Sequence, residues 1–297
     1  MDKKSQCNKG GNCYMINDRR QLADVYQQTI DIVLEGSYTS VNGEEVKLLD
    51  NEPMLKGSRF YTKALDATNV PTIEGETKII VENDDSIHCG HQLQKEGYNP
   101  VVLNLASRRN PGGGVLNGSR AQEESLFRCT NLFLSMYRYA SYAEEYGLEK
   151  SRYQYPLAVP FGGVYVPKAT VFRAGAKNDF ALLDKPYYMS FVAVPAINHP
   201  LQDENGNMGK RDAEITKNKM RTILRIGLFH GHDCIVLGAF GCGAFRNPPR
   251  SIARFFHEII DEAEFKNKYR LIAFAILEDH NSPKGGNLQP FVEEFGD

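Results

Sequence analysis

Two adjacent carboxylates, Glu123 and Glu124, close the run NPGGGVLNGSRAQEE that extends from Asn110 to Glu124. A carboxylic acid can protonate a departing oxygen, and the carboxylate left behind can activate water, which are the two halves of general acid/base hydrolysis. Successive positions on a helix point about 100° apart, so one of the pair can face a ligand while the other braces it. The three glycines ahead of them can adopt positive φ and let a ligand come close without Cβ interference. A helix N-terminus after such a loop presents N–H groups to anions and tolerates acids in its first turn. The loop also has a purely structural reading as a turn before a capped helix, because Ser119 through Gln122 fits the S-x-x-Q capping box.

A second stretch could handle an anion. Gly241-Cys242-Gly243-Ala244-Phe245 follows an apolar run and precedes Arg246-Asn247-Pro248-Pro249 and a helical pattern. A strand, a Gly-x-Gly turn and a helix N-terminus together offer backbone donors to a phosphate. Arg246 stands where the third glycine of a G-x-G-x-x-G fingerprint belongs, which disfavours a Rossmann dinucleotide site. The histidines are scattered. His88 and His91 share a predicted helix, His230 and His232 flank Gly231, and His199, His257 and His280 stand alone, so no metal centre and no cofactor is expected. No nucleophile elbow is present either.

The elements that must hold these residues can be read from periodicity. Leu22, Val25, Tyr26, Thr29, Ile30 and Val33 recur at helical spacing, and Glu35-Gly36 ends that helix. Asn42-Gly43 between Ser37–Val41 and Glu45–Leu49 predicts a hairpin. Residues 50–76 carry Pro53, Gly57, Pro71 and Gly75 as breakers, and the domain seam is placed there. Strands and helices then alternate: a strand over Lys78–Glu82, a helix over Ser86–Lys95 and a buried strand over Pro100–Leu105 feeding the glycine loop. The acids open a helix predicted to run from Gln122 to Tyr142. Further on come short strands or a hairpin over Val159–Pro167 and Ala169–Arg173, and another buried strand over Tyr188–Val194. An amphipathic helix over Arg211–Phe229, with basic residues outward, leads to a strand over Cys234–Phe240. A helix over Ser251–Phe265, a strand over Tyr269–Leu277 and a docking tail over Leu288–Phe295 complete the pattern. Such alternation argues for a sheet covered on both faces, and ligands of such sheets bind beyond the carboxyl ends of the strands.

Composition narrows the function classes. With 297 residues, 41% of them hydrophobic, the chain can bury a large core. A formal charge of -2 provides no basic field for gripping nucleic acid sequence-specifically or otherwise. The longest apolar runs fall far short of the roughly 20 residues a membrane span needs, and the first residues form a polar tail without a signal-peptide core. Six cysteines are scattered without a C-x-x-C pair and are read as reduced thiols, with Cys7 and Cys13 in the tail. A monomer in the cytoplasm is the expectation.

The glycine triplet, the short spacer and Gln-Glu-Glu at a helix start, after a strand ending Leu103-Asn104-Leu105-Ala106-Ser107, resemble the signature of poly(ADP-ribose) glycohydrolases, particularly the bacterial-type members of that macrodomain family. The turn from Gly241 looks like a macrodomain diphosphate loop. The resemblance implies an α/β fold with a macrodomain-like three-layer α/β/α core and a mixed, largely parallel sheet. That core would span 77–297, after a polar tail (1–17) and a helix-plus-hairpin extension (18–76) read as packing without chemistry. It gives catalysis to Glu124 and a ribose hydroxyl to Glu123. Asn110 and the backbone of Gly112, Gly113 and Gly114 would line the distal ribose, with Gln122 serving the helix cap or the loop. Gly241, Cys242, Gly243 and Ala244 would cradle the diphosphate, and Phe245 would lie against a ribose or the adenine unless it is a core aromatic. The implied partner is ADP-ribose or poly(ADP-ribose) on modified proteins, with one terminal unit held in the pocket and cleavage from the free end. Arg120 and Phe240 depart from the family pattern, and Arg120 could reach a phosphate. Hydrolysis of mono-ADP-ribosylated protein, for example on arginine, and binding of ADP-ribose without cleavage remain as alternatives.

Overall fold

A computed structural model describes residues 18–67, 69–278 and 282–296. The expectations for the tail, Cys7, Cys13 and His280 lie outside those residues. The first helix, α1 (Arg19–Glu35), begins where the Asp18 carboxylate accepts from the N–H groups of Arg20 and Gln21, and ends at Gly36 in the left-handed region. Its stripe of Leu22, Val25, Tyr26, Ile30 and Val33 is buried. A hairpin follows, β1 (Ser37–Thr39) with β2 (Glu45–Lys47), and then α2 (Glu52–Gly57) and β3 (Arg59–Tyr61).

The remaining elements are β4 (Lys78–Glu82), α3 (Ser86–Lys95), β5 (Pro100–Leu105), α4 (Gln122–Cys129), α5 (Phe133–Met136), β6 (Gly163–Arg173) and β7 (Leu182–Val194), followed by α6 (Lys210–Phe229), β8 (Cys234–Leu237), α7 (Pro249–Ile260), β9 (Leu271–Ala275) and α8 (Leu288–Phe295). Seven strands form one sheet in the order β3-β6-β7-β5-β8-β9-β4. From β7 to β4 every pairing is parallel, and β6 and β3 add antiparallel strands at one end. Alternation along the strands separates two cores. Val102, Ala193 and Val236 face α1, α3 and α4, whereas Val101, Leu103, Val192, Ile235 and Leu237 face α6 and α7. Helices therefore cover both faces, giving the mixed, largely parallel α/β/α sandwich expected of the macrodomain-like reading.

Two expectations change. The stretch 122–142 is not one helix: α4 stops at Cys129, and Thr130 is extended and bridges Val171 of β6. Asn131 holds the break, accepting from the Thr170 N–H at 2.7 Å and donating to Asn51 at 2.6 Å. The two short strands over 159–173 are one strand, with a register shift between Val166 and Ala169 around Pro167 and Lys168. The segment read as an extension packs on the core: Arg59–Tyr61 pairs with Gly163–Tyr165 in the sheet, and α1 shares a core with α4. Among the described residues no helix is long and apolar enough to cross a membrane.

Candidate active site

The glycine loop leaves the carboxyl end of β5 and returns to the sheet as α4, whose second and third residues are the two acids. Their side chains turn back onto the loop that precedes them. Glu123, 2% exposed, accepts from the Ser107 N–H through Oε2 at 2.7 Å and from the Gly112 N–H through Oε1 at 3.1 Å, with the Asn104 amide at 3.5 Å. Burial pushes its carboxyl up to about 8, against the pull of those N–H groups, and the neighbouring Glu124 adds to the rise. Glu124, 7% exposed, accepts from the Gly114 N–H through Oε1 at 2.9 Å. Its Oε2 is buried and has no hydrogen-bond partner among the described residues.

This architecture explains the triplet. Gly113 has φ +57°, and a Cβ there would lie 2.5 Å from Glu124 Oε1 and 3.2 Å from Glu123 Oε2. On either side, a Cβ at 112 would enter the Phe127 ring and one at 114 would meet the Ser119 hydroxyl. The N–H groups of Gly112, Gly113 and Gly114 all bond within the chain, to Glu123, the Asn110 carbonyl and Glu124. The first loop therefore holds its own carboxylates, and its three N–H groups are taken.

Gln122 differs from its expected role. Ala121, not Ser119, is the N-cap of α4 and makes no side-chain cap bond. The Gln122 amide accepts from the Leu105 N–H at 2.9 Å and donates to the Leu103 carbonyl at 2.7 Å and Ser86 Oγ at 3.0 Å. It pins α4 to β5 and α3, which leaves its polar atoms committed to the scaffold rather than to a ligand. Arg128, 1% exposed, ties the helix to the extension by donating to the Leu22 carbonyl at 2.9 Å and the Ser119 carbonyl at 2.7 Å. Burial lowers its pKa to about 10, and the Glu124 charge opposes that shift.

The second turn leaves β8. Asn247, 1% exposed, knits it by donating from Nδ2 to the carbonyls of Ile197 at 2.7 Å, Gly241 at 3.1 Å and Phe245 at 3.3 Å. Gly241 has φ +75°, and a Cβ there would be 2.5 Å from both the Ala196 methyl and the Asn247 amide. Cys242 is buried in the core face, where burial pushes its thiol pKa up, so only its backbone belongs to the turn. Among the described residues the N–H groups of Gly243 and Ala244 bond to nothing in the chain. These are the open donors.

The two turns border a common cavity of about 540 Å³, with Arg108, Arg109 and Asn110 from the first and Phe245 from the second on its wall. Phe245 is half-buried and packs on the core with the rest of its ring, while Phe240 is fully enclosed. A second cavity of about 810 Å³ lies along Cys242, Gly243, Ala244 and Arg246 and reaches Lys284 ahead of α8 and Gln289 in its first turn. The acids stand behind their loop rather than on either wall. Arg120 is exposed. The histidines have structural surroundings: His91 stacks on Tyr187, His230 on Tyr165, and His232 bonds the Tyr165 hydroxyl and the Asn99 carbonyl.

Comparison with known proteins decides what this geometry belongs to. Residues 26–174, half of the chain, match the family described as microbial-type PARG, catalytic domain. The chain is a member of the microbial-type poly(ADP-ribose) glycohydrolase family. The poly(ADP-ribose) glycohydrolase of Thermomonospora curvata is 25% identical over 93% of this chain and 100% of that chain, with a TM-score of 0.75. The same enzyme bound to the inhibitor ADP-HPD gives 26% identity and a TM-score of 0.74. The Deinococcus radiodurans glycohydrolase in complex with ADP-ribose is 26% identical over 84% of this chain and 98% of that one, with a TM-score of 0.66. No curated protein sequence matches. As a glycohydrolase of this family the chain is a hydrolase of poly(ADP-ribose), and the glycine triplet and QEE both lie inside the matched segment.

Sequence reasoning missed four residues that shape the site. Asn104 and Ser107 hold Glu123, Asn247 holds the second turn, and Lys219 enters the wall of the smaller cavity. A signal existed for two of them. Asn104 interrupts an apolar strand, and Lys219 lies four residues from both Ile215 and Ile223 on the inward stripe of α6, contrary to the expectation of outward basic residues.

Proposed function

We propose that the chain cleaves the ribose–ribose O-glycosidic bond of poly(ADP-ribose) from the free end, with Glu124 as acid and then base. The observation that carries this is the asymmetry of Glu124: one oxygen is fixed by the Gly114 N–H, and the other is buried with no partner among the described residues. A protonated Oε2 gives its proton to the departing ribose oxygen as the C–O bond breaks and its electron pair leaves with that oxygen. The sugar passes through an oxocarbenium-like state, and the carboxylate takes a proton from the water that adds to the anomeric carbon. ADP-ribose and a polymer shorter by one unit result. Glu123, immobilised by two backbone N–H groups, orients the sugar.

The terminal unit is held with its diphosphate at the open N–H groups of Gly243 and Ala244, next to the N-terminus of α7. The inhibitor and ADP-ribose complexes of the bacterial relatives support ADP-ribose as the ligand. The near-zero net charge suits capture of one end unit rather than a long polyanion. The test is Glu124→Gln. Release of ADP-ribose from polymer should fall about 10²–10⁴-fold while ADP-ribose binding persists. Release at the wild-type rate would remove Glu124 from the chemistry.

A further inference from the structure

Lys219 has a burial problem that the scaffold does not solve. It is 2% exposed, and among the described residues its ammonium nitrogen has no hydrogen-bond partner. An uncompensated buried charge is costly, so it marks a place where an anion is missing. Lys219 lies on the wall of the 540 Å³ cavity, facing Arg108 and Arg109 of the glycine loop, with Asn110 and Phe245 between the two turns. The one acid among the described residues of that wall, Asp212, accepts from the Leu201 N–H at 2.9 Å and does not bond the Lys219 ammonium. The positions 212, 215 and 219 share a stripe of α6, so the helix presents this lysine to the cavity by its register. Burial, with Arg108 adding to it, lowers the ammonium to about 8, leaving it largely protonated at neutral pH.

The position of the cavity says which anion. The open N–H groups of Gly243 and Ala244 lie along the larger cavity, whereas Arg108, Arg109 and Lys219 line the smaller one, which adjoins the glycine loop at Asn110. With the diphosphate of the terminal unit at the Gly243 turn, the alcohol that departs from its anomeric carbon emerges on the Asn110 side. In poly(ADP-ribose) that alcohol is a ribose hydroxyl of the preceding unit, which carries its own diphosphate. We propose that the smaller cavity is a subsite for that preceding unit, and that Lys219, with Arg108 and Arg109, takes a phosphate of it. The inference rests on the glycohydrolase reading and deepens it: the polymer is gripped on both sides of the bond that breaks.

The experiment compares binding of free ADP-ribose with binding of a two-unit ADP-ribose oligomer, on the full chain carrying Glu124→Gln, with and without Lys219→Met. Met keeps the apolar stem, and retained ADP-ribose binding reports a folded pocket. Loss of one charge-assisted contact should weaken the oligomer about tenfold or more and leave ADP-ribose within about twofold. The exposed pair Arg108→Gln and Arg109→Gln should weaken the oligomer in the same direction, and Lys219→Arg should restore part of it. Parallel loss of both ligands would place Lys219 against the terminal unit and overturn the subsite, as would an unchanged oligomer affinity. Free ADP-ribose appearing in the Glu124→Gln background is a separate signal that counts against Glu124 as the acid. In that event the ratio of KM for polymer to Kd for ADP-ribose, with and without Lys219→Met, decides for or against the subsite: a ratio raised by Lys219→Met supports it, and an unchanged ratio overturns it.

Discussion

The turns at Gly112–Gly114 and Gly241–Ala244 have nearly the same composition and sit at the carboxyl ends of neighbouring strands, β5 and β8, yet they are built for opposite ends. In the first, the N–H groups of Gly112 and Gly114 are taken by two glutamates of the following helix and that of Gly113 by the Asn110 carbonyl, and a Cβ at 113 would collide with those carboxylates. In the second, the inner side is tied by a neutral amide, Asn247, and the N–H groups of Gly243 and Ala244 are left open. On the proposed reading, the first turn positions the acid at the sugar and the second offers amides to the diphosphate.

The difference can be broken from the first turn outward. Gly113→Ala puts a methyl group 2.5 Å from Glu124 Oε1, and displacement of about an ångström at a catalytic group costs on the order of 10²-fold. That loss should appear in kcat for polymer, with ADP-ribose affinity close to wild type; equal losses in both would show that the first turn also binds phosphate. Asn247→Ala attacks the second turn and should do the converse. ADP-ribose affinity should drop about tenfold and the melting temperature should fall with the loss of about 1–3 kcal/mol, while kcat stays within about threefold. A kcat defect without an affinity defect would reverse the assignment.

A smaller effect separates the turns by pH. Glu123 has its folded pKa raised from 4.5 to about 8. A group shifted upward contributes stability that is complete below its unfolded pKa and is lost as pH rises toward the folded one. The wild-type melting temperature should therefore fall relative to Glu123→Gln between pH 4.5 and 8, and parallel curves would contradict the burial argument. The smallest change tests the extension. Tyr26 and Tyr137 share a buried hydrogen bond at 2.7 Å between α1 and the segment after α5. Tyr26→Phe should cost about 1 kcal/mol in thermal unfolding and leave kcat as it is, since the contact lies behind the loop and touches no ligand.

Much of the scaffold was legible because its period was legible. The inward stripe of α1, the strands at 78–82 and 100–105, and the helix at 86–95 come from local alternation and caps, which a short window contains. The break at Thr130 was not legible, because Leu132, Phe133 and Met136 continue a helical spacing and the competing partner is Thr170, some forty residues away. The third strand was hidden for the same reason: Arg59–Tyr61 has only three residues, and its strand identity comes from pairing with β6. The capping box failed because Gln122 has a better set of partners in β5 and Ser86 than the helix end offers.

By itself, the sequence determined that two glutamates would open a helix behind a glycine triplet, that a second Gly-x-Gly turn would end another strand, and that helices and parallel strands would alternate into a covered sheet. These follow from the chirality and period of the local chain. Only the tertiary structure decided that Glu124 keeps one oxygen unpartnered, that the N–H groups of the first triplet are taken and those of the second open, that Lys219 points inward, and that 59–61 completes the sheet. Hydrogen-bond partners and desolvation depend on groups brought together from distant parts of the chain, and no local pattern carries that information.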